Sequence, residues 1–317
     1  MNITGLETLV FGVANLAEAR QYMIDYGLEP SATHPARLEA LDGTGVEFYA
    51  QDDASLPPAP KGCQMRLAVM GVADEATLNA IAEELGKDRP VVRVDGPNGG
   101  RVQSVDDAGF AIAFQVSRRQ PLHLLGEVSN APGSPIQRVP NQLGVVKGRG
   151  RIQPRGLSHL VYFVPDLAKA ERFYVERLGF RVTDRFEGVG PFMQPAGALD
   201  HHSHFLIGAP AFMQGVEHFT FHFGGPTEVI QNGNRFIEAG YQAFWGPGRH
   251  IFGSNWFWYF NSPLGCHVEM DADMDLHDNS WTPRSCPISA DASQAFLLRR
   301  RDAWMPGPGT PHEGDYA

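Results

Sequence analysis

The sequence predicts an α+β fold of four βαβββ modules paired into two barrel-like domains. Three observations carry this. Residues 5–23, GLETLVFGVANLAEARQYM, and residues 156–174, GLSHLVYFVPDLAKAERFY, run in register at an offset of 151 residues. Each copy passes from an apolar, β-rich run through an Asn or Asp into a helical pattern, then into short alternating segments. A second unit of the same kind follows within each half. The modules therefore fall at about 5–55, 63–116, 156–210 and 217–271, and a repeat of this length decides the architecture.

In the first module the strand LVFGV ends at Ala14-Asn15, and the Asn15 side chain can accept from the free N–H groups of a helix start. Segments such as EFYA (47–50) follow as a strand meander. The second module reads as strand 64–70, helix 74–85 and strands ending in GFAIAFQV, with GPNGG (96–100) as a hairpin turn. The third has Asp166 as the cap, then Leu167, Ala170, Phe173, Tyr174 and Leu178 at helical spacing, and Gly179 as the stop. The fourth has strand 217–223, a helix over about 226–239 and a closing strand in GCHVEMD. The resulting division is an N-terminal domain at 1–120, a Pro-, Gly- and Arg-rich linker at 121–150, a C-terminal domain at 151–275 and a tail at 276–317. The tail reads as irregular from Asp273, with Phe296–Leu298 and Arg299–Arg301 as the two sides of a short terminal helix.

Composition narrows the function. Apolar residues make up 43% and charged residues 20%, ordinary for a chain with a core. A net charge of −10 argues against nucleic acid as a partner. Cys63, Cys266 and Cys286 are far apart and odd in number, so no disulfide framework or zinc knuckle is expected, and a reducing cytoplasm is the expected compartment. There is no signal-peptide pattern and no stretch near the ~20 apolar residues that span a bilayer. No G-x-S-x-G elbow or phosphate loop is present.

The two halves differ where chemistry would sit. His159 lies on the opening strand of the third module, His218 on that of the fourth, and Glu269 on the fourth module's closing strand. Two imidazoles and a carboxylate form the facial ligand set that holds Fe(II) with positions left open; zinc can take the same set. In the first half Thr8 stands for His159 and Ala113 for Glu269, while the counterpart of His218 falls at about Gln64. His222 shares a strand face with His218 as a rival ligand, and His267 shares one with Glu269 as a supporting group. Alternation puts Trp258 and Phe260 opposite Tyr259, in the core.

These paired modules, with GLSHLVYFVPDL, HHSHFLIG, VEHFTFHF and above all GPGRHIFGSNWFWYFNSPLGCHVEM (246–270), resemble the type I extradiol ring-cleaving dioxygenases of the vicinal oxygen chelate superfamily. The resemblance implies a metal-free N-terminal domain and a C-terminal domain holding Fe(II), or alternatively Mn(II), through His159, His218 and Glu269. It implies catalytic roles for Tyr259, ten residues before Glu269, and for His250 of the G-R-H motif. It also implies an acid–base histidine shortly before the second metal His: His202, sixteen residues ahead of His218, with His201 and His204 as rivals. The implied partners are a small aromatic ortho-diol and O2, in a homo-oligomer. Where relatives carry an acidic residue between His250 and Tyr259, this chain has Phe252, Gly253, Ser254 and Asn255, so the pocket is expected to be neutral and aromatic. The alternatives are a related His-His-Glu enzyme, whether a hydroquinone-cleaving or keto-acid dioxygenase or a glyoxalase-like isomerase, and a metal-free binding protein.

Overall fold

The computed structural model describes residues 1–95, 100–145 and 151–299. The chain forms four βαβββ modules. The first runs β1 (Ile3–Val13), α1 (Leu16–Tyr26), β2 (Glu29–Pro30), β3 (Arg37–Glu39) and β4 (Gly45–Ala50). The second runs β5 (Met65–Val72), α2 (Glu75–Gly86), β6 (Val92–Val94), β7 (Arg101–Val105) and β8 (Ala111–Val116). The third runs β9 (Gly156–Val164), α3 (Leu167–Arg172), β10 (Arg181–Glu187), β11 (Gly190–Gln194) and β12 (His204–Gly208). The fourth runs β13 (Gly215–His222), α4 (Pro226–Glu238), β14 (Ala243–Arg249), β15 (Trp256–Asn261) and β16 (His267–Ala272). Asn15 and Asp166 cap their helices by accepting from the backbone N–H groups of Glu18 and Lys169. The helix after Asp166 widens into a π turn at Phe173–Arg177 before Gly179, whose φ is +75°.

Each module's opening strand is parallel to its closing strand, a pairing that needs the helix as a crossover. The two opening strands of a half pair antiparallel at the sheet centre, β1 with β5 and β9 with β13. The sheet orders are β2-β3-β4-β1-β5-β8-β7-β6 and, within the second sheet, β10-β11-β12-β9-β13-β16-β15-β14. One continuous apolar core joins the halves. Tyr22 and Tyr26 of α1 meet Phe236 of α4 edge-on at 5.1 and 6.2 Å, and Phe110 stacks on Tyr162 at 4.3 Å. In α4, Gly233 leaves room for the Trp258 ring: a Cβ there would lie 2.1 Å from Trp258 Cε3. Trp258 and Phe260 are core residues on the face away from Tyr259, as alternation predicts.

The tail departs from the sequence expectation. Arg284–Pro287 forms β17, parallel to β10, and Phe296–Leu297 forms β18, antiparallel to β14, with the short helix α5 (Ala290–Ser293) between them. Both outer edges of the second sheet are thus covered. The edge strands offer unpaired N–H and C=O groups that a two- to four-residue strand can satisfy without visible periodicity. Phe296 and Leu297 are therefore extended, not helical, and Arg300, Arg301 and the closing PGPGTPHEGDYA lie outside the described residues, as does most of GPNGG. The linker has no helix or strand among its described residues; just before it, the Arg119 guanidinium at the end of the N-terminal domain ties the halves by donating to the Leu6 and Leu157 carbonyls at 2.7 Å each.

Candidate metal centre and substrate cavity

Alternation along β9 turns Leu160 and Tyr162 into the core, and His159 and Val161 to the concave face. His218 and Glu269 reach the same point from β13 and β16. His159 Nε2 lies 3.2 Å from His218 Nε2 and 2.9 Å from Glu269 Oε2, and His218 Nε2 lies 3.5 Å from Glu269 Oε2. Donors about 2.1 Å from one cation and at right angles to each other stand about 3 Å apart, so this cluster has the spacing of a facial metal site. Glu269 Oε1 is buried with no hydrogen-bond partner, as a carboxylate awaiting a cation would be. The residues fit a divalent metal, and among the described residues this is the group that satisfies such spacing.

A supporting layer fixes each member of the cluster. Ser158 Oγ lies 3.0 Å from His159 Nδ1, and Thr220 donates its hydroxyl to Glu269 Oε2 at 2.5 Å. Tyr26, from the first half, donates to the Glu269 carbonyl at 2.5 Å. Glu217 accepts from His218 Nδ1 and, through its other oxygen, from His267 Nδ1 at 2.9 Å. Strict alternation would turn Glu217 away from His218. A β-bulge between Val216 and His218, where two steps on β13 match one on β9, brings both to the concave side. Glu217, Ser158 and Thr220 escape a sequence reading; the acidic residue beside His218 is the one visible signal.

The electrostatics suit metal binding. Burial keeps His159 below its ordinary imidazole value despite the pull of Glu269. Burial opposes charge on His218 too, but the Glu217 carboxylate outweighs it and raises that imidazole. Burial disfavours the Glu217 and Glu269 anions, yet the neighbouring histidines prevail; Glu217 is lowered to about 2, and Glu269 lies well below its usual range.

Of the three histidines in DHHSHF, His202 lines the cavity, with its ring 4.3 Å from that of His159. His201 turns away, its Nε2 2.8 Å from Asp184. His204 faces the core between Tyr174 and Phe180, where burial pushes it down to about 3. His250 Nε2 sits 3.2 Å from the Tyr259 hydroxyl, and its Nδ1 donates to the Ser293 carbonyl of the tail. Burial, followed by Glu269 and Glu217, raises the Tyr259 phenol well above its ordinary value, so it remains a donor. His222 is not drawn into the cluster; it pairs with Asp271 at 2.8 Å and Asp200 at 3.3 Å. His267 bonds Glu217 and stacks on Phe244 at 3.8 Å.

The cluster opens into a cavity of about 260 Å³. Phe186, Phe192, Phe205 and Phe252 form one aromatic wall and Trp245 another, with Ile288 of the tail at the rim. Among the described residues no Lys or Arg lines it. At the equivalent place in the first half, Val10, Leu67, Val69, Ala111 and Ala113 pack together. Thr8 is engaged by Arg37 at 2.7 Å. Strand register makes Leu67 the counterpart of His218, since Val10 faces Leu67 as Val161 faces His218. This corrects the expectation of Gln64, because the bulged repeat cannot be counted from the strand start.

Residues 156–270 match the Glyoxalase/Bleomycin resistance protein/Dioxygenase superfamily. Metapyrocatechase 2 of Cupriavidus necator is 29% identical over 274 residues, covering 83% of this chain and 79% of that protein. Among solved structures, a Mn(II)-bound glyoxalase from Novosphingobium aromaticivorans superposes with a TM-score of 0.74 at 17% identity over 93% of this chain and 91% of its own. BphC, a halotolerant catechol dioxygenase, gives 0.72 at 16% over 94% and 95%. The 2,2',3-trihydroxybiphenyl 1,2-dioxygenase of Sphingomonas wittichii gives 0.67 at 19% over 95% and 100%. The chain has the vicinal oxygen chelate fold, and residues 156–270 carry the match to that superfamily. Along most of its length its sequence is similar to that of a metapyrocatechase. Among the described residues no helix is long and apolar enough to cross a membrane.

Proposed function

We propose that this chain is an Fe(II)-dependent dioxygenase that cleaves the ring of an uncharged catechol beside its two hydroxyls, inserting both atoms of O2. The observation that carries this is the buried His159, His218 and Glu269 cluster opening directly into a largely apolar cavity that no Lys or Arg among the described residues lines. We assign the chemistry to the C-terminal domain (151–275), and a scaffold role to the N-terminal one (1–120).

These three residues would hold the metal, whose open positions would bring diol oxygens and O2 together and let charge pass between them. His202 faces the cavity beside His159 and is placed to take a hydroxyl proton as the diol enters. Tyr259, kept protonated, donates its hydroxyl hydrogen to His250 Nε2, which orients the hydroxyl so that its oxygen can accept from a substrate hydroxyl. The aromatic walls exclude water and grip the ring faces. With no Lys or Arg among the described residues of the wall, carboxylate-bearing catechols are disfavoured, since no permanent cation pairs with their added charge.

The test is anaerobic loading with ferrous iron, then a panel of neutral and carboxylated catechols mixed with air. Oxygen uptake with a coloured ring-cleaved product, strongest for neutral diols and lost in Glu269→Ala, is expected. Tight catechol binding with no oxygen uptake would instead make the chain a binding protein.

A further inference from the structure

His202 faces the cavity on one side and touches His201 on the other, and behind it stands a chain of buried groups. Asp184 of β10 is fully buried. Arg284 of β17 forks onto it, Nε 3.1 Å from each carboxylate oxygen and Nη2 2.5 Å from Oδ2, while its backbone N–H donates to Oδ1 at 2.8 Å. Burial opposes the Asp184 charge, but His201 and Arg284 outweigh it and lower the carboxyl. An ionised carboxylate only accepts, so His201 Nε2, 2.8 Å from Oδ2, carries the hydrogen. Arg284 already balances the carboxylate, and the site needs no second cation from His201. A neutral His201 then presents a lone pair on Nδ1, 2.9 Å from His202 Nδ1. The hydrogen in that gap belongs to His202, which leaves the lone pair of its other nitrogen, Nε2, for the cavity.

We propose that Asp184 and His201, clamped by Arg284 from β17 of the tail, form a positioning relay that holds His202 as its Nδ1–H tautomer, so that its cavity-facing nitrogen is a proton acceptor. The catalytic consequence rests on the acid–base role assigned to His202 above. When the diol hydroxyl gives its proton to Nε2, the O–H bonding pair stays on the diol oxygen. The imidazolium formed keeps its Nδ1–H donated to His201, whose own N–H points at Asp184. The buried carboxylate stabilises that charge through two hydrogen bonds and is not itself protonated. The three histidines of DHHSHF thereby divide their work: His202 meets the substrate, His201 orients it and His204 packs the core.

The tautomer is readable without turnover. In zinc-loaded protein with ¹⁵N-histidine, long-range ¹H–¹⁵N spectra, with His202 assigned from a His202→Asn sample, should show hydrogen on Nδ1. In Asp184→Asn, Arg284 claims the amide oxygen and the amide N–H₂ faces His201, so the chain reverses and His202 should carry hydrogen on Nε2. With iron and catechol, His201→Phe should lower kcat about 100-fold with KM nearly unchanged, whereas His201→Asn, which keeps an acceptor near the Nδ1 position, should recover most of it. Hydrogen on Nε2 in the unmodified protein, or equal impairment by His201→Phe and His201→Asn, would overturn the relay. If the unmodified protein turns over no catechol, the functional reading fails, while the spectra still decide the relay.

Discussion

Glu217 is the supporting residue whose loss has the clearest consequence. Its two oxygens hold His218 Nδ1 and His267 Nδ1, and the His218 side chain is only 8% exposed. Glu217→Ala leaves a buried N–H without an acceptor, at a cost of about 1–3 kcal/mol, and frees the ring to rotate away from His159 and Glu269. Loss of such an outer partner lowers metal affinity by about 10- to 100-fold, equivalent to about 1.4–2.7 kcal/mol. Glu217→Gln keeps a carbonyl acceptor for His218 and should fall between the two. The assay is anaerobic competition for ferrous iron against a chelator of known affinity, with unfolding of the metal-free forms as a control. An unchanged metal Kd in Glu217→Ala, or a Gln variant as impaired as Ala, would refute a ring-orienting role.

Three further outcomes follow from the same structure. His204→Phe should leave turnover unchanged; because burial pushes His204 from 6.5 down to about 3, its stability contribution is lost as pH falls below 6.5, so the variant's acid-unfolding midpoint should move to lower pH. Asp106 is the opposite case: burial raises it from 3.8 to about 6, so the folded state weakens as pH rises through that window by about 3 kcal/mol. Asp106→Asn, which can still bond Phe110 N–H and Tyr174, should flatten the pH dependence of denaturant midpoints between those values. Gly233→Ala drives a Cβ to 2.1 Å from Trp258; overpacking of about 1–3 kcal/mol should exceed the helix-propensity gain of about 1, giving a lower Tm by calorimetry.

The four modules were legible because period-2 strands, 3.6-period helices and the Asn15 and Asp166 caps agree with one another and recur at a fixed offset. The cluster of His159, His218 and Glu269 was legible because the repeat supplies an internal control, with Thr8 and Ala113 at the matching places. What escaped depends on geometry that periodicity cannot carry. The bulge in β13 turns Glu217 inward and shifts the His218 counterpart to Leu67. The tail strands are too short for a period, yet β17 delivers Arg284 to Asp184 and the segment between delivers the Ser293 carbonyl to His250. The choice among His201, His202 and His204 needed side-chain direction, since the bend before β12 breaks simple alternation.

Oxygen labelling tests the central claim most directly. Iron-loaded protein, mixed with a neutral catechol under ¹⁸O₂, should yield a ring-opened product in which mass spectrometry finds both labelled atoms, with no product from His218→Ala. A transformed substrate without label, formed equally well under nitrogen, would contradict the assignment and leave an oxygen-independent reaction at the same three ligands.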